Sequence, residues 1–446
     1  MSKIKSLSYI QVIALGYFIL IVIGTFCLAL PQATKEGSSA GLLNALFTAT
    51  SATCVTGLVI FDTYSQWNTF GQIIILILIQ IGGLGFMTVI TLFSFFLKRK
   101  IGLKERGLLK ESVNTMHIGG IVRLTKRILL GTLIFEGIGS VILSFRFIPI
   151  MGIKEGIYNA VFHSISAFCN AGFDLMGKFG QFSSLTAFSH DYIVCITVTI
   201  LIIVGGIGFF VWDDILRNKY RFRKYMLHTK IVLTTTVILI ISGTLLIFIF
   251  EKNNLLKDMP LGAQLINSLF SSVTPRTAGF NTIDTAQLTS ASKLLTMILM
   301  FIGGSPGSAA GGIKTVTFAV IIISLFSSVK NNKDINIFNR RLEDSALKRA
   351  AAVSVINLSL SLFAALLICS ANTSVALGNI LFEVISAIGT VGLSTGITGS
   401  LNNFALFIIT LLMYCGRVGS LSFIFIFTEN KLQKHIHNPT EKINIG

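Results

Sequence analysis

Residues 44–58 read NALFTATSATCVTGL and residues 159–173 read NAVFHSISAFCNAGF, with Asn, Phe, Ser-Ala and Gly in the same places. Asn44 and Gly57 stand 13 residues apart, as do Asn159 and Gly172. A further copy keeps that interval from Asn379 through Phe382 and Ser386-Ala387 to Gly392. The remaining copy, Asn267 to Gly279, is one residue shorter and has Val273-Thr274 in place of Ser-Ala. The glycines Gly57, Gly172, Gly279 and Gly392 are 115, 107 and 113 residues apart, so one unit of about 110 residues occurs four times.

A second element follows each glycine. Gly82-Gly83 begins 25 positions after Gly57, Gly205-Gly206 33 after Gly172, Gly303-Gly304 24 after Gly279, and Gly416 24 after Gly392. Close packing of membrane helices accounts for recurring small residues inside spans. It does not account for a fixed Asn-Phe-Ser-Gly spacing between them.

The surroundings of these segments are apolar. Of 446 residues, 52% are hydrophobic and 12% charged, against about 25% charged in a soluble domain. Mean hydropathy is +0.78. Residues 6–34, 63–97 and 350–382 carry no charge at all, and each outruns the ~20 residues that cross a bilayer. An ordinary soluble enzyme is excluded. The pattern predicts an all-α membrane protein with eight spans, near 8–30, 70–97, 123–148, 190–213, 229–250, 292–328, 349–371 and 403–427. The four units then occupy 1–110, 111–227, 228–345 and 346–428, with a tail at 429–446.

The net charge of +17 follows this topology. Of 36 Lys and Arg, 26 fall before the first span, after the second, fourth and sixth, or in the tail. The positive-inside rule makes those segments and both termini cytoplasmic. An excess spread over separate loops argues against nucleic acid as a partner. Lys3 and Lys5 precede an apolar run too long for a signal peptide, so it reads as a retained span. The six cysteines contain no CxxC pair, which gives neither a disulfide framework nor a zinc site.

Each repeated segment has about twelve apolar or small residues before its glycine, too few to cross but enough for a half-helix that enters and returns. Non-helical backbone at that depth lines a water-filled path or is buried in protein. Four such returns around one axis form a ring. Glycine permits torsions closed to other residues, so successive carbonyl oxygens turn to the axis. Such a ring replaces the water shell of a monovalent cation, and the half-helices aim their negative ends at the same centre.

The Thr-Ala-Gly-Phe and Thr-Val-Gly-Leu signatures, with the run from Val273 to Asn281 (VTPRTAGFN), resemble the Trk/Ktr/HKT superfamily of potassium transporters. The resemblance covers essentially the whole chain and is greatest to the membrane subunit of bacterial Ktr systems. It implies a selectivity filter at Val55-Thr56-Gly57, Asn170-Ala171-Gly172, Thr277-Ala278-Gly279 and Thr390-Val391-Gly392, with potassium held by the backbone carbonyls of Gly57, Gly172, Gly279 and Gly392. In the plant relatives a serine at the first glycine goes with sodium transport, so Gly57 implies potassium. It also implies a homodimer seated on a cytosolic ring of nucleotide-binding regulator subunits, since this chain has no nucleotide-binding motif of its own and needs no organic cofactor.

Gly303-Gly304-Ser305-Pro306-Gly307-Ser308-Ala309-Ala310-Gly311-Gly312 places five glycines and a proline in ten positions of the predicted sixth span. No helix runs smoothly through it. A non-helical stretch below the filter predicts a gate, and the resemblance implies the same. A phosphate-binding loop is disfavoured, because the spacing before Lys314 is wrong and no strand precedes it. Arg417 lies roughly 15 Å inside its span at about 1.5 Å per residue, and is read as a cation that repels potassium or holds the gate through its carbonyls. Glu136 is expected to find a polar partner between helices. Asp62, Asp174 and Asp284, two to five residues after filter glycines, read as solvated loop acids.

Three other readings keep part of this pattern. A sodium-conducting or sodium-coupled transporter shares the architecture. A transporter of organic solutes by alternating access shows two related halves rather than four equal units. A membrane enzyme needs paired carboxylates, a Ser/His/Asp set or metal-ligand spacing, none of which lies in the apolar segments.

Overall fold

A computed structural model describes residues 8–85, 88, 102, 107–109, 121–331 and 334–419. Most of the far half of the 70–97 span, the basic residues 98–110, the last part of the 403–427 span and the 429–446 tail lie outside the described residues.

The described chain is mostly helical. Among the described residues four helices are long and apolar enough to cross a bilayer: α1 (Tyr9–Ala29), α5 (Ile121–Met151), α9 (Leu227–Glu251) and α13 (Asp344–Ala371). Each is followed by a short helix, α2 (Leu42–Thr53), α6 (Ile153–Phe168), α10 (Leu261–Val273) or α14 (Leu377–Gly389). A non-helical strand and a returning helix come next. Between α2 and its returning helix lies the single turn α3 (Thr63–Gln66).

The returning helices are α4 (Thr69–Leu84), α7 (Tyr192–Ile207), α11 (Ser290–Ile302) and α15 (Asn403–Val418). All four open on a side-chain cap: Asn68, Asp191, Thr289 and Asn402 accept from backbone N–H groups of the first turn. The cap satisfies donors that have no partner within the helix.

The far ends of these helices correct the sequence reading. Spans were expected over 70–97, 190–213 and 403–427, of which most of 86–97 and all of 420–427 lie outside the described residues. Helices α4, α7, α11 and α15 end at Gly85, Gly208, Gly303 and Gly419, with φ of +83°, +106°, +63° and +94°. That is backbone a side chain resists. After Gly208 the chain restarts as α8 (Phe209–Asn218), turned by 93° from α7. After the loop that begins at Gly303 it restarts as α12 (Thr315–Val329).

The glycine doublets therefore align differently from the sequence spacing. Gly303 matches the helix-ending Gly85, Gly208 and Gly419, and Met300 stands where the other copies have Gly82, Gly205 and Gly416. Those three glycines serve close packing. A Cβ on them would collide with the carbonyl oxygens of Thr53, Phe168 and Ile388, each four residues before a repeat glycine.

Burial explains the repeated phenylalanine. Phe47, Phe162, Phe270 and Phe382 are fully buried, and with Ala45, Ala160, Ala263 and Ile380 they seat the short helices in the centre of the molecule. The long helices surround them and turn apolar side chains outward, Phe145 being 73% and Leu133 67% exposed. A water-soluble surface does not carry apolar exposure on this scale; lipid is its solvent. The chain is a multi-pass membrane protein.

Candidate functional site

The short helices end in the same turn. In the first copy Val55 N–H donates to Ala52 O (3.1 Å) and Thr56 N–H to Ser51 O (2.8 Å). Asn170 and Ala171 repeat this against Ala167 and Ser166, and Thr390 and Val391 against Ala387 and Ser386, at the same distances. This paired termination needs a left-handed residue, and Val55, Asn170 and Thr390 take φ of +58°, +59° and +49°. The third copy, one residue shorter, uses the single bond from Ala278 N–H to Thr274 O (2.9 Å), with Thr277 at +74°. Left-handed torsions are costly for β-branched Val55, Thr277 and Thr390.

Two residues later Gly57, Gly172, Gly279 and Gly392 are again left-handed, at +93°, +69°, +79° and +89°, while Thr56, Ala171, Ala278 and Val391 between them are not. Backbone of alternating hand turns successive peptide groups alike, N–H groups to one side and carbonyl oxygens to the other.

The strands then meet. A Cβ on Gly57 would lie 2.5 Å from Ala171 O, on Gly172 2.9 Å from Ala278 O, on Gly279 2.6 Å from Val391 O, and on Gly392 against Thr56 O. Each contact passes to the residue preceding the next copy's glycine, and the fourth returns to the first. All twelve residues from the four Gly-ended triplets are thus brought to one place. On one side the ring opens into a cavity of about 390 Å³ lined by all four glycines.

The recurring hydroxyl fastens these strands. Ser51 and Ser386 accept from Gly57 N–H (3.0 Å) and Gly392 N–H (3.1 Å). Ser166 donates to Phe173 O, and Thr274 takes its place in the third copy, donating to Phe280 O. The substitution of Val273-Thr274 for Ser-Ala thus preserves a hydroxyl tie across the missing residue.

Asp62, Asp174 and Asp284 line the cavity, Asp284 exposed as a solvated loop acid, Asp174 half-buried and Asp62 buried. Asp62 accepts from Ser65 N–H (2.8 Å) and Phe182 N–H (3.1 Å), Asp174 from Met176 N–H (3.0 Å) and Asp284 from Ala286 N–H (2.9 Å). Their carboxylates are occupied in turns because unpaired backbone donors there need acceptors. In the loop beyond the ring, burial pushes the Asp174 carboxyl up to about 7, against the Met176 hydrogen bond, and the nearby Asp62 charge adds to the rise.

Behind the ring lies the loop from Gly303 to Lys314. A Cβ on Gly311 would collide with Thr390 Oγ1 and lie 3.0 Å from Gly389 O, so the loop packs on the fourth strand on the side away from the cavity. It is non-helical, as expected, yet well tied. Ser305 N–H donates to Gly206 O (3.0 Å), Ala309 N–H to Gly205 O (3.3 Å), and Phe209 N–H to Gly307 O (2.8 Å). The broken end of α7 and the loop thus satisfy each other's backbone. Ser305 and Thr315 hydroxyls close its base at 3.0 Å, and Ser308 Oγ bonds Ser305 O across Pro306.

Arg417 reaches this loop. One guanidinium nitrogen donates to Ala309 O and another to Gly82 O, with Gly83 O at 3.4 Å. Lys314 adds bonds to Ala310 O (2.7 Å) and Gly311 O (3.1 Å). Three consecutive loop carbonyls are therefore held by two cations. The sequence reading gave Lys314 no role beyond a rejected phosphate-binding loop; its signal was being the only charged residue between Lys293 and Lys330. Glu136 finds its partners between helices, accepting from Gln80 Nε2 (3.2 Å) and facing Cys169 Sγ at 3.8 Å.

Comparisons with known proteins agree with this geometry. The chain is 41% identical to the potassium/sodium uptake protein NtpJ of Enterococcus hirae, over 99% of this chain and 98% of that one. It is also 41% identical to the Ktr system potassium uptake protein B of Bacillus subtilis, over 98% and 96%. The fold is that of the crystal structure of the potassium transporter TrkH from Vibrio parahaemolyticus, with a TM-score of 0.76 at 16% identity, covering 96% of this chain and 86% of that one. The TrkH profile, described as cation transport protein, matches residues 9–436, and the chain belongs to that family of membrane transporters.

Proposed function

We propose that the chain takes up potassium across the plasma membrane through one central pore formed by four helix–pore-loop–helix units, the ring of four glycine strands being its selectivity filter. The observation that carries this is the closed cycle of contacts from Gly57 through Gly172 and Gly279 to Gly392 and back, on backbone whose alternating hand gathers carbonyl oxygens. The left-handed ends of α2, α6, α10 and α14 point their partial negative charge at the same centre. Flux follows the electrochemical gradient. An inside-negative potential supplies about 2.3 kcal/mol per charge per 100 mV, so uptake needs no ATP at this chain. The loop from Gly303 to Gly312, with Arg417, is the gate beneath the filter. Both termini face the cytoplasm, where a homodimer of this chain meets a ring of nucleotide-binding regulator subunits.

A second reading, conduction of sodium through the same ring, is favoured by the likeness to a potassium/sodium uptake protein. Isotope uptake in a cell lacking its own potassium uptake separates them. Rubidium or potassium entry with little sodium entry supports the first; equal or greater sodium entry overturns it. In the same assay Ser51→Ala is expected to lower the rubidium-to-sodium ratio severalfold, because a buried Gly57 N–H left unpaired costs about 1–3 kcal/mol and frees the strand. An unchanged ratio counts against the fastening role.

A further inference from the structure

The groove between α5 and the corner of α7 and α8 lies apart from the proposed filter, and meets the proposed gate loop only through the backbone bond of Phe209 N–H to Gly307 O. It encloses about 280 Å³ and is almost entirely apolar, walled by Ile128, Phe135, Val204, Ile207, Phe209 and Trp212. Its shape is fixed at the corner, where Trp212 Nε1–H donates to Val204 O at 3.1 Å. Gly131 forms its floor, with Trp212 packed on the space a side chain would fill.

One end of the groove is charged. Arg127 and Arg217 both pair with Asp213, the second at 2.6 Å, and both side chains stay partly exposed, at 42% and 60%. Two guanidinium groups share the Asp213 carboxylate, and the adjacent Asp214 is buried against Asn218 Nδ2 and Met226 N–H, so the charge left at the exposed mouth is positive. Exposed Arg123 and Lys126 stand on the same end of α5. From Arg127 the groove runs along α5 to Phe135, about 12 Å at 1.5 Å per residue. The other end of α5 carries the separate Arg146–Asp191 pair, so the charged mouth lies on the side of the gate loop.

We propose that this groove binds an anionic phospholipid, one acyl chain lying along Ile128, Phe135 and Val204 and the phosphate meeting Arg127 and Arg217. An apolar slot open to the bilayer takes hydrocarbon. An excess of cations at the headgroup end selects the charged lipid over a zwitterionic one. A pair of arginines fits a phosphate in a way that lysines, as point charges, do not.

The test is native mass spectrometry of the full chain from nanodiscs holding phosphatidylglycerol and phosphatidylcholine in equal parts. Retention of phosphatidylglycerol over phosphatidylcholine is expected. It should fall about fivefold in Arg127→Gln/Arg217→Gln/Asp213→Asn, which removes one net charge without stranding the acid. Val204→Phe, which fills the slot and leaves the charges, is expected to lower retention of both lipids and stands as the test should the triple variant fail to fold. Equal retention of the two lipids by the unaltered chain overturns the proposal. So does Val204→Phe that keeps its lipid, or that changes only the fraction of dimer, which would make the groove a contact between copies.

Discussion

Gly392→Ala abolishes selective uptake: rubidium entry is expected to fall at least a hundredfold, with the remaining cation flux no longer favouring rubidium over sodium. Two effects add at this position. Gly392 holds φ at +89°, where a Cβ is strained. The new Cβ would also collide with Thr56 O, the carbonyl through which the fourth strand meets the first. Displacing that oxygen opens the ring at its closing contact. A misplacement of about 1 Å is enough to spoil coordination that replaces a hydration shell. Alanine at the exposed Gly378, where nothing lies within 4 Å of a Cβ, is the control and is expected to leave uptake unchanged. Isotope uptake with both variants at matched membrane expression decides it, and a Gly392→Ala protein that retains selective uptake sinks the filter assignment.

The ring of glycine strands, the proposed filter, was legible in the sequence because its constraint is local and repeated. Only glycine meets both the torsion and the contact, so Gly57, Gly172, Gly279 and Gly392 stand out at fixed spacing. The left-handed torsion at the neighbouring positions did not, because Val55, Asn170 and the two threonines Thr277 and Thr390 have no one side-chain type in common; helix termination imposes the torsion whatever residue is there. The helix ends at Gly85, Gly208 and Gly419 were hidden for a different reason. The chain beyond each is still apolar, and hydropathy reports burial in lipid without reporting direction. The 93° turn into α8 leaves no mark on composition.

Long-range polar ties were the least legible. Arg417 was conspicuous as a charge deep in a span, but its partner Gly82 is 335 positions away and contributes only a backbone oxygen. Lys314 bonds within its own loop, and rejecting a phosphate-binding motif there left the lysine without a role. Backbone acceptors have no residue identity, so no pattern of side chains announces them.

Arg417→Ala is expected to raise uptake in the absence of any regulator roughly tenfold and to reduce the response to one. The guanidinium joins two elements, Ala309 in the loop and Gly82 at the end of α4. Hydrogen bonds to a charged group contribute about 1.5–3 kcal/mol each, and about 1.4 kcal/mol shifts a two-state equilibrium tenfold. Losing one such tie already frees the loop on that scale. The alternative role, repulsion of the permeating cation, needs only the charge, and Arg417→Lys separates the two. A lysine keeps the charge but has no planar fork to span two carbonyls on different elements. If bridging governs the gate, Arg417→Lys leaks nearly as much as Arg417→Ala; if repulsion governs, it stays closed. The loop's second cation sharpens the comparison. Lys314 holds Ala310 and Gly311 within the loop without reaching α4, so Lys314→Met is expected to leak less than Arg417→Ala. Uptake by purified chain in vesicles, with and without a candidate regulator, measures all three, and unchanged flux and regulation in Arg417→Ala would remove Arg417 from the gate.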